Sequence, residues 1–148
     1  MNEFFFTVNS PPVAWQRAGL SRGRHYTQPE TRAWEELVAL QGHIAMRGRQ
    51  RLSGPIELIV VCMLPIPAGW PAWKREAART GQVAPTGKPD WDNLGKGVSD
   101  ALNGIVWDDD AQVVDAFTRK RYSTQPCAIV YAQTLNLLPA QVSRRPPV

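Results

Sequence analysis

The run from Ile56 to Leu64 constrains the fold of this chain more than any other feature. Nearly every residue in it is apolar, and it has the length of a β-strand, well short of the roughly 18 apolar residues that a membrane span needs. It therefore predicts a buried strand. A chain of 148 residues is the size of one domain, so we expect a single core and one type of functional site.

Apolar periodicity and turn residues predict two helices. The first begins at Pro29-Glu30-Thr31 and ends before Gly48. The second covers Asp92 to Asn103. Gly95 and Gly97 weaken this second prediction, because each costs up to ~1 kcal/mol relative to alanine in a helix.

Three further strands are predicted beside the buried one. Glu3 to Val8 is rich in aromatic and β-branched residues, and residues 112–122 and 128–135 are interpreted as a hairpin with a short turn. The stretch from Pro65 to Pro89 is rich in Pro, Gly, Trp and basic residues. It indicates a long loop with one helical turn near Lys74 to Arg79, and loops of this length are usually functional or mobile.

Together these elements predict an α/β (α+β) fold in one domain over residues 3–138. We expect a mixed, partly antiparallel sheet of about four strands with two main helices. Trp34 and Trp107 are expected in the core. The Pro-rich residues 139–148 are expected to form a disordered tail.

The two cysteines, Cys62 and Cys127, each lie in an apolar run. A free thiol in such surroundings behaves as a small hydrophobic group, and two cysteines make neither a disulfide framework nor a zinc site. The sequence also shows no signal segment and no membrane span. We therefore expect a cytoplasmic protein without a membrane partner.

Charge is divided unevenly along the chain. The window from Asp90 to Asp115 holds seven acidic residues and one basic residue, Lys96, and so carries −6. The remaining residues hold 16 of the 17 bases and 6 of the 13 acids, which gives +10. This division fits a solvated surface with an acidic loop. It also fits bases that bind phosphates around acids that hold a divalent cation.

The spacing of the acids favours the cation. Asp90 and Asp92 stand at the start of the second helix, where both carboxylates can point at one spot. Asp92 alone would be interpreted as a helix N-cap. A second carboxylate beside it adds repulsion, which a hard cation such as Mg²⁺ relieves. After Gly104 the chain reaches the consecutive acids Asp108 to Asp110, which are costly to hold together unless solvated or coordinated.

Lys96 lies one helical turn from Asp92 and one turn from Asp100. These three residues could form an ordinary salt-bridge ladder on one helix face. Beside a metal ion, the ammonium could instead bind the scissile phosphate and stabilise its developing charge.

Other acidic motifs were compared with this pattern. An EF-hand loop starting at Asp90 is excluded, because Leu94 and Ala101 stand where it needs oxygen ligands. The Asp-x-Asp motif of Mg²⁺-dependent nucleotidyl or glycosyl transferases remains an alternative. So does a DNA-binding protein without catalytic activity.

Three segments of the acidic part of the chain belong together: Lys88-Pro-Asp-x-Asp-Asn-Leu-x-Lys96, Asp100-Ala-Leu-Asn-Gly104 and Trp107-x-Asp109-Asp110-x-Gln112-Val113. In this order they resemble the RusA family of Holliday-junction resolvases. The Pro-rich residues after the first strand and the Arg-bearing loop before Tyr26-Thr27 are similar too, so the resemblance covers most of residues 3–135. Trp91 stands where the family usually has a smaller aliphatic residue.

The resemblance implies a Mg²⁺-dependent endodeoxyribonuclease of bacterial or prophage origin, in which Mn²⁺ can replace Mg²⁺. It implies a homodimer that acts on branched DNA, the four-way junction, without a small-molecule cofactor. By position it assigns the metal ligands to Asp90, Asp92 and Asp110 and the active-site lysine to Lys96. Asp108 adds a third acid before the usual pair, and alignment on Asp-Asp-x-Gln-Val selects Asp110.

Basic residues outside the acidic window are candidates for contacts with DNA phosphates. They are Arg17, Arg22, Arg24, Lys74, Arg75, Arg119, Lys120 and Arg121. Trp70 and Trp73 lie in the long loop, where they could stack on unpaired bases or anchor the loop.

Overall fold

Four long strands and three helices form the body of the protein, seen in a computed structural model that describes residues 2–17, 19–21, 23–26 and 28–145 (the backbone alone for 19–21 and 24–26). The long strands are β1 (Glu3–Val8), β4 (Ile56–Pro65), β5 (Val113–Ser123) and β6 (Cys127–Thr134), and β2 (Gly19–Ser21) and β3 (Arg24–Tyr26) form a short separate hairpin. The helices are α1 (Pro29–Ala45), α2 (Ala72–Arg79) and α3 (Trp91–Leu102). The predicted mixed α+β domain is confirmed, with one helix more than the two main ones expected.

The order of strands in the sheet is β1-β6-β4-β5. β4 pairs in parallel with β5 and antiparallel with β6. The prediction that residues 112–122 and 128–135 form a hairpin was therefore wrong, because β4 lies between β5 and β6. Both strands take the long apolar β4 as their neighbour, and residues 124–126 can bridge the gap because two strand spacings amount to only ~10 Å.

The helices cover one face of this sheet. In β4 the even-numbered residues from Ile56 to Leu64 are buried, whereas the odd-numbered residues from Glu57 to Met63 are only half-buried. Helix α3 packs against β4 and β5, and α1 packs against β1 and α3. Trp34 and Trp107 are 2% and 0% exposed, which confirms that both belong to the core.

Two glycines let α3 approach its neighbours closely. A Cβ added to Gly95 would lie 2.5 Å from Thr118 Oγ1 on β5, and one added to Gly97 would lie 3.4 Å from the backbone nitrogen of Trp15. The Trp15 N–H also donates to the carbonyl of Asn93, at 2.8 Å. Gly95 and Gly97, which weakened the helix prediction, are therefore the residues that let α3 pack closely against β5 and the N-terminal segment.

The cysteines are free thiols, as the sequence predicts. Burial raises the pKa of Cys62 to about 12, which keeps its thiol protonated and unreactive at neutral pH. Among the described residues, no helix has the length and apolar character needed to cross a membrane.

Gly42→Ala tests the contact between α1 and α3. A Cβ at Gly42 would lie 2.6 Å from Leu102 Cδ2, and Leu102 is 0% exposed, so this side chain has no open space to move into. Overpacking costs about 1–3 kcal/mol, against the ~1 kcal/mol that alanine gains over glycine in a helix. We expect the free energy of unfolding in urea to fall by up to about 2 kcal/mol, with an unchanged m-value.

Leu102→Val provides the control, because it shortens the side chain that would clash. The double variant Gly42→Ala/Leu102→Val should lose less stability than the sum of the two single variants. A Gly42→Ala protein more stable than the wild type would contradict the close packing.

Candidate active site

A cleft of about 280 Å³ lies between α3 and the strands β4 and β5. Asp92 and Lys96 of α3 line it together with Asp110, which precedes β5. The structure thus brings together three of the four residues that the family resemblance assigns to the active site. Asp90, the fourth, does not line the cleft and stands at the start of α3.

The start of α3 places both acids of the Asp-x-Asp pair. Asp90, rather than Asp92, occupies the N-cap position, with an extended backbone, and its side chain makes no capping hydrogen bond. The carboxylate of Asp92 accepts a hydrogen bond from the N–H of Asn93, at 3.0 Å. Both acids are exposed, so their carboxylates remain accessible at the start of the helix.

The three consecutive acids before β5 have different surroundings. Asp108 pairs with Arg51, with 3.0 Å between Oδ1 of the carboxylate and Nη1 of the guanidinium. Asp109 accepts a hydrogen bond from the N–H of Ala111, at 3.0 Å, and so caps the short 3₁₀ helix that follows. Of the three, Asp110 is the one that lines the cleft.

Two amide side chains hold this acidic segment in place. The Gln112 Oε1 accepts hydrogen bonds from the backbone N–H groups of Asp108 and Asp109, both at 3.1 Å, and its Nε2 donates to two carbonyls before β4. The Asn103 Oδ1 accepts from the N–H of Asp110, at 3.0 Å. Both amides are fixed positions of the resembled motif, but their role in holding this segment was not predicted.

The surroundings of Asp110 are electronegative. Burial raises the pKa of its carboxyl, and the neighbouring carboxylates of Asp109 and Asp100 raise that pKa further, while Lys96 acts in the opposite direction. A cation at this place would relieve the repulsion among these groups.

Lys96 is oriented by neighbours on two sides. Its Nζ lies 3.2 Å from Asp100 Oδ2 and 4.9 Å from the ring centroid of Trp15. Glu35 of α1 faces the same group, and its pKa is raised first by burial and then by Asp100, and lowered by Lys96. Sequence reasoning missed Glu35 and Trp15, because tertiary packing alone brings them to the site.

The donor groups of the cleft fit Mg²⁺. Asp92 and Asp110 offer carboxylate oxygens, which Mg²⁺ prefers, and this ion usually binds through one or two carboxylates plus waters and substrate phosphates. Within residues 2–145, as far as these are described, no three His, Cys, Asp or Glu side chains are grouped as a ready metal cage. Asp92 and Asp110 are the residues of the cleft that could contribute ligands to such an ion.

The long loop before α3 contains an anchored tryptophan. The Trp70 ring packs edge-on against Tyr122, with 5.3 Å between centroids, and Lys74 Nζ lies 4.0 Å above it. Arg75 Nε donates to the Trp70 carbonyl, at 3.1 Å. Trp70 therefore anchors the loop and engages both basic residues, whereas Trp73 is 71% exposed.

The other candidate DNA contacts differ in their surroundings. The exposed ones are Arg17, Arg119 and Arg121. Lys120 is half-buried and donates to the carbonyls of Gly87 and Pro89. Arg22 and the side chain of Arg24 lie outside the described residues.

Trp91 borders both the cleft and a groove beside it. It is 61% exposed and lines the cleft with Asp92. The neighbouring groove, of about 580 Å³, runs from Trp91 past Arg119 and Arg121. The residue that departs from the family pattern thus stands where an acidic cleft meets a basic surface.

Comparison with known proteins shows the family to which the chain belongs. The sequence profile of the family described as Endodeoxyribonuclease RusA matches residues 9–131, which include all four predicted active-site residues. The uncharacterized protein YqaN of Bacillus subtilis (strain 168) is 37% identical over 129 residues, covering 82% of this chain and 89% of that protein. The chain therefore belongs to the RusA family of endodeoxyribonucleases.

Proposed function

We propose that this protein is a Mg²⁺-dependent endonuclease that resolves four-way DNA junctions by paired symmetric nicks. The observation that carries the proposal is the meeting of Asp92, Lys96 and Asp110 in one cleft of a chain that belongs to an endodeoxyribonuclease family. Neither alternative, a DNA-binding protein without catalysis or a nucleotidyl or glycosyl transferase, has a structural feature that favours it.

In this proposal Asp90, Asp92 and Asp110 would hold Mg²⁺, or Mn²⁺ in its place. Asp92 and Asp110 line the cleft, and Asp90 stands next to it at the start of α3. When bound, such an ion activates a water molecule and neutralises charge on the phosphate oxygens. The carboxylates contribute by fixing the place of the positive charge, and Asn103 and Gln112 keep the segment that carries Asp110 from moving.

Lys96 is suited to bind the scissile phosphate. Asp100 and Trp15 hold the ammonium, but the side chain is still 47% exposed, so a phosphate oxygen can reach it from the solvent. A positive charge fixed before the reaction stabilises the charge that develops in the transition state.

The surface next to the cleft supports a nucleic-acid substrate. Arg119 and Arg121 can contact backbone phosphates without reading sequence, and the exposed Trp91 indole offers a face on which an unpaired base can stack. Phosphate contacts of this kind make affinity fall as salt concentration rises.

A homodimer would supply the second nick. The sheet face opposite the helices carries Phe5, Tyr131, Ile59 and Phe117 in one row across its strands. None of these four is fully buried, and Phe5 and Phe117 are 63% and 61% exposed. A second copy related by a two-fold axis would cover this row and place two identical sites on a symmetric junction. Arg119 and Arg121 would then lie at the rim, where interfaces are polar.

Asp110→Asn and Asp108→Asn separate the proposed ligand from its neighbour. On a synthetic four-way junction, wild-type cleavage should require Mg²⁺. Asp110→Asn should abolish it, because a neutral amide binds the ion weakly. Asp108→Asn loses only an exposed ion pair, which contributes about 0–1 kcal/mol, and should cleave normally.

DNA binding by Asp110→Asn should persist or improve, because a charge repelling phosphate is removed. Asp90→Asn and Asp92→Asn should behave like Asp110→Asn.

Cleavage without added divalent ions in the presence of EDTA would contradict the metal requirement. An Asp110→Asn protein that cuts at the wild-type rate would contradict the ligand assignment.

Lys96→Ala tests the phosphate-binding role. Loss of a charge-stabilising group should slow single-turnover cleavage by about 10²–10³-fold. If Lys96 only formed a surface ion pair, its loss would cost under ~1 kcal/mol of stability and leave the rate unchanged. Urea unfolding measured on the same protein distinguishes a slow enzyme from an unfolded one.

Phe5→Glu tests the dimer surface. Because Phe5 is 63% exposed, a charge there should not disturb the monomer fold but should oppose burial against a second copy. By light scattering we expect wild type at about twice 16.5 kDa and Phe5→Glu at 16.5 kDa. Leu40→Glu is the control, because Leu40 is 52% exposed on α1, away from this face. A wild-type mass near 16.5 kDa would refute the dimer.

A further inference from the structure

Lys120 forms two hydrogen bonds to the turn that leads into α3. Its Nζ donates to the carbonyl oxygens of Gly87 and Pro89, both at 2.9 Å. Pro89 directly precedes Asp90, the N-cap residue of α3. The ammonium group of Lys120 therefore connects the turn before Asp90 to strand β5.

The position of Lys120 in β5 explains its reach. Lys120 is in register with the buried Cys62 of β4, so its side chain emerges on the face that the helices cover. Arg119 and Arg121 emerge on the opposite face and are exposed. Of the three consecutive bases, the middle one points toward the turn.

The turn has few other means of being held. Pro89 has no N–H to donate, and the side chain of Asp90 makes no capping bond. Hydrogen bonds from a charged donor are stronger than those between neutral groups. Lys120 supplies two such bonds from a strand whose own position is set by pairing with β4.

We propose that Lys120 is a positioning residue that holds the Asp90–Asp92 turn against β5, and not one of the DNA contacts. The catalytic part of this inference rests on the proposed metal-dependent cleavage; the structural part does not. If Lys120 is lost, the turn gains freedom, so that placing its carboxylates around a metal ion costs more.

Lys120→Met and Arg119→Met form a matched pair for the test. Each removes one positive charge from β5 and keeps an unbranched side chain, but only Lys120 contacts the turn. In Lys120→Met, we expect amide hydrogen exchange of Leu94, whose N–H donates to the Asp90 carbonyl at 3.1 Å, to accelerate by at least about tenfold, because the turn that positions this carbonyl loses two charged hydrogen bonds. The Mg²⁺ concentration for half-maximal junction cleavage should rise by a similar factor. Arg119→Met should leave this hydrogen exchange unchanged, because Arg119 does not contact the turn, and the loss of a phosphate contact should instead lower its affinity for DNA.

DNA binding measured in EDTA over a range of NaCl concentrations gives the opposing outcome. Loss of one phosphate contact lowers the slope of log affinity against log salt by about 1. We expect the wild-type slope for Lys120→Met. A slope lowered by about 1 with unchanged hydrogen exchange would identify Lys120 as a DNA contact and overturn the proposal.

Two further results keep the test decisive. Lys120→Arg, which retains a charged donor, should restore part of the exchange protection, and it replaces Lys120→Met if that variant does not fold. If wild type cleaves no junction, the proposed function fails, while hydrogen exchange still decides whether Lys120 holds the turn.

Discussion

Because Gly95 has no Cβ, the backbone of α3 lies directly against the Thr118 side chain, and this contact sets the distance between the helix and β5. The cleft depends on that distance, since α3 carries Asp92 and Lys96 while Asp110 stands at the entrance to β5. Gly97 performs the same function on the N-terminal side, against Trp15. Glycine lowers helix propensity at both positions. The close packing that it allows holds α3, with Asp92 and Lys96, at a fixed distance from β5 and Asp110.

The acids before β5 show how the protein keeps like charges together. Three adjacent free carboxylates would repel one another strongly, but Asp108 pairs with Arg51 and Asp109 bonds to a backbone N–H. Repulsion is left concentrated at Asp110, whose pKa is raised by burial and by its neighbours. Nearby groups thus bind Asp108 and Asp109, whereas Asp110 faces the cleft.

Local sequence signals predicted the strands, both main helices and the buried tryptophans, because periodicity and turn residues act over a few neighbours. The pairing of β5 with β4 was not predictable in this way, since adjacent predicted strands favour a hairpin and nothing local signals an inserted strand. The motif indicated Asp92, Lys96 and Asp110 because their spacing along the chain is fixed. Glu35, Trp15 and the role of Lys120 depend on packing between distant segments, for which a single sequence carries no signal.

Parallel neighbouring strands cannot be joined by a tight turn and need a connection of a dozen or more residues, roughly the length of a helix with its loops. In this protein the connection from β4 to β5 carries all four residues assigned to the active site. Its two ends are anchored in adjacent strands that pair in parallel along their length. Within it, α3 and the residues that follow supply core side chains such as Leu94, Val98, Leu102 and Trp107, so this part is tied to the sheet. Residues 80–84 are mostly exposed, and there the loop can lengthen or shorten while the anchoring strands and α3 stay unchanged.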